Sequence, residues 1–288
     1  MMTTKMSDSE IKSEVRKRYA GLITSESKLS CCGADSSCGA PADSRKGNLV
    51  KSAGYSADEL KSLPTVAVEN SFGCGNPLAF AGVEEGQTVL DIGSGAGIDC
   101  FIAAEKVGKT GKVIGIDMTP EMIDKARANA IDGGFSQVEF RLGDAEAMPV
   151  ADGSVDWVIS NCVINLSPDK PKVFSEIYRV LKPGGRFSIS DIVLGDDLPK
   201  WLANNLHAWT GCVAGAIKEK DYLQGLLSSG LTDVEVESRI VYDDSVIRGF
   251  LDEYKLLQFL PFKSKFLKSA NNKVWSAKIR GRKPVSHD

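Results

Sequence analysis

Histidine is almost absent from this 288-residue sequence, which contains only His207 and His287. The side chain that most often moves protons near neutral pH is therefore largely missing, and chemistry that relies on a general base is disfavoured. Long apolar runs are also lacking, and none approaches the roughly 18 residues that a membrane span needs. The N-terminus, through Arg16, Lys17 and Arg18, is polar and charged and has no apolar signal-peptide core, so the expected location is cytoplasmic, with no membrane partner. A formal net charge of −3 leaves no global basic field to draw the chain to nucleic acid. The length suits one large domain, or a catalytic domain with a smaller one.

What the sequence does have is cysteine: seven, an odd number, in a chain large enough to fold without staples. In a reducing compartment such thiols signal reactivity, a metal or plain burial rather than a disulfide framework.

Apolar positions at helical spacing (Ile11, Val15, Tyr19, Leu22) predict a helix over about Ser7 to Ile23. Thr24 to Gly47 is rich in Ser, Gly, Ala and Asp without periodicity and reads as a mobile loop. Ser56 and Glu59 form a capping box for a short helix that Pro64 ends, with Tyr55 and Leu60 as its staple. From Gly86 strand and helix signals alternate. Strands are predicted at Thr88–Ile92, Val113–Asp117, Val138–Leu142, Val155–Ser160 and Arg186–Ile192. Helices run through Phe101, Ala104 and Val107, from Pro120 with Thr119 as its cap, and through Val173, Ile177, Val180 and Leu181 to a stop at Lys182-Pro183-Gly184-Gly185. This alternation implies an α/β fold, a parallel sheet with helices on both faces. Beyond Pro199 the pattern is mostly helical, with strand-like stretches near Val234–Val241 and Lys273–Ile279. The organisation expected is an N-terminal helix and cysteine-containing loop (1–69), a Rossmann-like core (70–195) and a smaller α+β region that completes the sheet (196–288).

The strongest motif is Asp91-Ile92-Gly93-Ser94-Gly95-Ala96-Gly97, which closes an apolar strand and opens a helix. Its glycines allow a tight turn and leave room for a ligand against the backbone, while the helix start offers unpaired N–H groups. Asp117 ends the second strand, where an acid grips ribose hydroxyls, and Asp144-Ala145-Glu146 follows the third, in position to read a base edge. Composition alone does not separate this cofactor from a dinucleotide. With the loop reading G-x-G-x-G and Lys182-Pro183-Gly184-Gly185 ahead of the fifth strand, however, residues 70 to 195 resemble the class I S-adenosylmethionine methyltransferases. The resemblance implies a mostly parallel seven-stranded sheet whose last strand is antiparallel. It also implies Gly93, Gly95 and Gly97 near the methionine moiety, Asp117 on the ribose and Asp144 with Ala145 at the adenine. Asp91, Met118 and Asn161 complete the expected cofactor set.

After the fourth strand stands Ser160-Asn161-Cys162-Val163-Ile164-Asn165-Leu166, not the Asn/Asp-Pro-Pro-aromatic segment of amino and DNA methyltransferases. Cys162 falls at a strand's carboxyl end, where open α/β sheets bind ligands. Cys74 lies in a glycine-flanked loop, Gly73-Cys74-Gly75, and Cys212 among small residues, Gly211-Cys212-Val213-Ala214-Gly215, after the helix that follows the fifth strand. Each alone reads equally well as a small buried hydrophobe. Converging, the three thiolates suit a soft, thiophilic centre. A structural zinc is the rival, although C-x2-C pairs are absent among these three.

Phe72-Gly73-Cys74-Gly75-Asn76-Pro77, Asp117-Met118-Thr119-Pro120-Glu121-Met122, the Cys162 segment and Gly211-Cys212-Val213-Ala214-Gly215-Ala216 together resemble the arsenite methyltransferase family. The likeness implies that Cys162 and Cys212 bind trivalent arsenic, with Cys74 as third thiolate or redox partner. A further cysteine near the N-terminus belongs to the pattern. The vicinal pair Cys31-Cys32 offers it, and Cys32 joins the expected catalytic set. The loop from Ser30 to Gly39, which also holds Cys38, is expected to capture arsenite or resolve a disulfide, whereas Cys100 reads as core filling. Methyl transfer formally oxidises arsenic, so a disulfide involving Cys74 with Cys162 or an N-terminal cysteine is expected, with thioredoxin or glutathione as reductant. Trp201, Trp209 and Tyr222 are pocket candidates that read more readily as core. Three other readings remain open: a small-molecule C- or O-methyltransferase with incidental cysteines, a non-catalytic arsenic- or metal-binding protein, and structural zinc at Cys31, Cys32 and Cys38.

Overall fold

Five apolar segments lie side by side and parallel: Thr88–Ile92 (β1), Lys112–Asp117 (β2), Val138–Leu142 (β3), Val155–Asn161 (β4) and Leu181–Leu194 (β5). They belong to a computed structural model that describes residues 7–24, 82–197, 215–242 and 273–285. Two further strands, Thr232–Val241 (β6) and Val274–Arg282 (β7), complete a seven-stranded sheet of order β3-β2-β1-β4-β5-β7-β6. β7 runs antiparallel to both its neighbours and is the one reversed strand of this sheet. The strand order turns back at β1 and β4, so the crevice beyond their carboxyl ends is where a ligand is expected.

The two-residue strand period sorts side chains onto two covered faces. Val89, Val113, Trp157 and Ile159 point toward Ile98–Val107 (α2) and Pro120–Gly133 (α3), where Phe101 stacks on Phe135 at 4.7 Å between ring centroids. Leu90, Ile92, Ile114, Ile116 and Val158 point the other way, toward Lys170–Val180 (α4) and Glu219–Ser228 (α5). Phe101 and Phe174, one on each side, are essentially excluded from solvent. Each such side chain contributes about 1.5–3 kcal/mol from burial.

The N-terminal helix, Asp8–Thr24 (α1), opens on a capping box that was not anticipated. The Ser7 hydroxyl accepts the Glu10 N–H at 3.3 Å, and the Glu10 carboxylate accepts the Ser7 N–H at 2.8 Å. Thr119 precedes α3 as expected, with Pro120 at the first position, but its side chain makes no capping bond. β5 starts five residues before the expected Arg186. Val155 pairs with Leu181 and Trp157 with Arg186, so Lys182 to Gly185 bulge out of the ladder rather than ending the helix from outside the sheet. No described helix is long and apolar enough to cross a membrane. The predicted loop beyond Thr24, the Ser56/Glu59 helix, Trp201 and Trp209 lie outside the described residues. Tyr222 is core, fully buried against Phe174.

Candidate cofactor and acceptor site

A cleft of about 990 Å³, partly open to solvent, lies at the carboxyl ends of β1, β2, β3 and β4 and is roofed by Lys12, Val15 and Tyr19 of α1. Its floor is the glycine loop, tied to the neighbouring strand by the N–H groups of Gly93 and Ser94 on the Ile116 carbonyl at 2.8 and 2.9 Å. The glycines serve different needs. A β-carbon on Gly93 would stand 2.2 Å from Val163 Cγ2, and one on Gly97, the N-cap of α2, 2.7 Å from the Phe140 ring. Gly95 also has positive φ (+51°), yet a β-carbon there meets no atom of the described residues within 4 Å, which leaves space above it for a ligand. Gly93 and Gly95 line the cleft, as does Ser94, whose buried Oγ has no partner among the described residues.

Asp117 braces this loop. Its carboxylate accepts the Gly95 N–H at 3.1 Å and the Thr119 N–H at 2.8 Å while lining the cleft. Burial raises its pKa, and the N–H bonds oppose that rise. Asp91 lies beneath the cleft, buried, and accepts the Cys100 thiol at 3.3 Å. Burial, reinforced by the charge of Asp99, pushes Asp91 well up. Cys100 is a free, fully buried thiol, likewise raised by burial. Asp99, in the first turn of α2 and on the cleft wall, accepts the Asn161 side-chain amide at 3.2 Å. Two acids on the cleft wall, Asp99 and Asp117, with Asp91 buried beneath them, favour a cationic ligand.

The third loop closes the far side. Ala145 and Glu146 line the cleft, whereas Asp144 is turned to Lys12 at 3.5 Å and Arg16 at 3.9 Å. Glu146 holds Lys12 at 2.9 Å and accepts the Ser167 hydroxyl at 2.7 Å. Burial alone would depress the Lys12 ammonium, but Glu146 and Asp144 hold it above its usual value. Arg16 Nε donates to the Met118 carbonyl at 3.0 Å, and Met118 faces the cleft. The role of α1 as a roof was not anticipated. Its signal was the face carrying Lys12, Val15 and Tyr19 at i, i+3 and i+7.

Cys162 directly follows β4 on the cleft wall, 4% exposed, with its N–H on the Ser190 carbonyl at 2.8 Å. It is disulfide-bonded, and its φ of 58° is left-handed, unusual for a residue with a β-carbon. Around it pack Ile11, Val15, Leu166 and Ile192. Asn161 beside it also lines the cleft. Cys31, Cys32, Cys38, Cys74 and Cys212 lie outside the described residues, as do His207 and His287.

A family profile described as a methyltransferase domain matches residues 83–230. An arsenic(III) S-adenosylmethionine methyltransferase from Chlamydomonas reinhardtii, a solved structure, is 33% identical with a TM-score of 0.64, covering 82% of this chain and 74% of that one. The chain belongs to the arsenite methyltransferase family. The arsenite methyltransferase of Halobacterium salinarum is 47% identical over 232 residues, 79% of this chain and 59% of that protein. That of Rattus norvegicus is 33% identical over 74% of this chain and 57% of its own length. This chain thus spans rather under two thirds of these two relatives. The family's cofactor, S-adenosylmethionine, suits the site: the unpartnered Ser94 Oγ, the open space over Gly95 and the acidic side of the cleft match a ligand with a cationic amine and sulfonium.

Proposed function

We propose that this chain transfers the methyl group of S-adenosylmethionine to thiol-bound trivalent arsenic, as arsenite or methylarsenite. The observation that carries the proposal is Cys162, a cysteine in a left-handed conformation on the wall of a cleft suited to the methyl donor. Gly93, Gly95, Asp117, Met118, Ala145 and Asn161 would hold the cofactor, while Asp91, Gly97 and Asp144 support its loops. Bound there, S-adenosylmethionine supplies an electrophilic methyl group on a positively charged sulfur. On the acceptor side, Cys162 with Cys74 and Cys212 exchange for the oxygens of arsenite and hold a three-coordinate arsenic. Its lone pair carries no proton to be removed, so the chain needs no general base, in keeping with two histidines. The contribution of the protein is orientation and exclusion of water.

Methylated arsenic has given up two electrons. Two thiolates that return them become a disulfide, and the disulfide at Cys162 favours this cycle, with Cys74 or Cys32 as the other half. Thiol–disulfide exchange with thioredoxin or glutathione resets the pair, which suits a cytoplasmic protein. The segments 1–69 and 196–288 we assign to acceptor capture and closure around the core of 70–195.

The test is transfer from labelled S-adenosylmethionine to arsenite in excess thiol, for wild type and Cys162→Ser. Loss of transfer by at least about a hundredfold, with cofactor binding retained, is expected if Cys162 holds the acceptor. A wild type that methylates an organic acceptor and leaves arsenite untouched would sink the proposal.

A further inference from the structure

The chain leaving Cys162 is gripped from below by charged groups that the proposed chemistry does not use. Asp191, in β5, is fully buried, and its Oδ2 accepts the Asn165 N–H at 3.1 Å and the Tyr222 hydroxyl at 3.2 Å. Its Oδ1 accepts the Ile192 N–H at 3.1 Å. Lys170, 7% exposed, donates to the carbonyls of Ser167 at 3.1 Å and Asn165 at 3.4 Å. Asn165 therefore has its N–H on a carboxylate and its C=O on an ammonium, and its side-chain amide donates to the Ile192 carbonyl at 2.6 Å. Burial pushes Asp191 up to about 7, while the Lys170 ammonium and the Ile192, Tyr222 and Asn165 donors pull it back. Burial and the Asp191 charge also push the Tyr222 phenol well up, so it remains a donor.

Stability does not explain this arrangement. Lys170 occupies the first turn of α4, where the positive helix end disfavours a cation. Burying charged groups also gives little net stability over apolar residues of similar volume. What the cluster does hold is the short 3-10 turn Ile164–Leu166. Two residues before that turn stands Cys162, whose left-handed backbone costs about 1–2 kcal/mol and persists only where its surroundings enforce it. Directly after it stands Ser167, bound to Glu146 on the cofactor side.

We propose that Asp191, Lys170 and Tyr222 are positioning residues for Cys162, locking the turn after it so that its thiol is presented at the cofactor cleft. None of the three lines the cleft. The proposal rests on Cys162 being the acceptor ligand.

The test uses reduced full-length protein carrying Asp191→Asn or Tyr222→Phe, which removes a single hydroxyl should the first variant fail to fold. Three readouts are taken: S-adenosylmethionine affinity, KM and kcat for arsenite, and the rate of Cys162 alkylation by iodoacetamide, followed by mass spectrometry. Misplacing the thiol is expected to lower kcat/KM for arsenite about tenfold or more and to change the alkylation rate severalfold, with cofactor affinity kept within about twofold. Unchanged arsenite kinetics and alkylation would overturn it, as would losses shared equally by cofactor binding and thermal stability. If wild type transfers no methyl to arsenite, the functional proposal falls. The alkylation rate then decides positioning alone, a changed rate supporting it and an unchanged one overturning it.

Discussion

At Gly95 a methyl group would touch no atom of the described residues, whereas at Gly93 it would collide with Val163. The two alanine variants should therefore separate binding from folding. Gly95→Ala carries only the left-handed penalty of about 1–2 kcal/mol, so its melting temperature should fall modestly while S-adenosylmethionine affinity drops about tenfold or more. Gly93→Ala should lose stability first. Thermal unfolding and cofactor titration of both variants check this, and wild-type affinity in Gly95→Ala would mean the ligand does not approach that carbon. Both glycines were legible in the sequence as a loop. Their division of labour was not, because it depends on Val163, seventy positions away from Gly93 and brought over it by the β1–β4 pairing.

Among the elements, α1 shows most clearly what local pattern can and cannot reveal. Its helical period was readable from Ile11, Val15 and Tyr19, and the capping box at Ser7 and Glu10 was there to be read. Its docking depends on Lys12 with Glu146 and on Arg16 with the Met118 carbonyl, contacts between distant parts of the chain. Lys12→Gln leaves the nearly buried Glu146 carboxylate with the Ser167 hydroxyl but no cation among the described residues. A loss of about 1–3 kcal/mol in docking the helix is expected, seen as weaker cofactor binding. Glu146→Gln should do the same, and the double variant should be less than additive because one interaction is lost twice. Additive losses in a titration series would show that the pair does not latch the helix. The partly buried geometry also predicts only moderate weakening by salt.

Across the whole molecule, acid acts on the carboxylates in opposite directions. Glu139, on edge strand β3, is held at about 2 by Arg141 first and Lys112 second. Its folded pKa is depressed, so its contribution to stability is present above about pH 4.5 and is lost as pH falls toward 2. The group is substantially exposed, so the contribution is small and screened by salt. Asp91 has the reverse sign. Its raised pKa means that the cost of ionising it is present above the folded value and is relieved as pH falls. Glu139→Gln should therefore flatten the fall in stability between pH 4.5 and 2, read by urea unfolding at a series of pH values, and lower stability slightly at neutrality without changing its pH dependence there. An unaltered acid limb would show that Glu139 pairs equally well in the unfolded chain.

The sequence alone determined the strands β1 to β4 nearly to the residue, the glycine loop, Asp117 at the end of β2 and Cys162 at the end of β4. Each of these is written in a local period or a short spacing, and a strand's carboxyl end is known once the strand is. Only the tertiary structure decided that α1 roofs the cleft and that Asp117 braces Gly95. It alone also brought Asp191 and Lys170 to grip the turn beyond Cys162. Those contacts join residues tens of positions apart, and no local pattern carries the register in which the sheet brings them together.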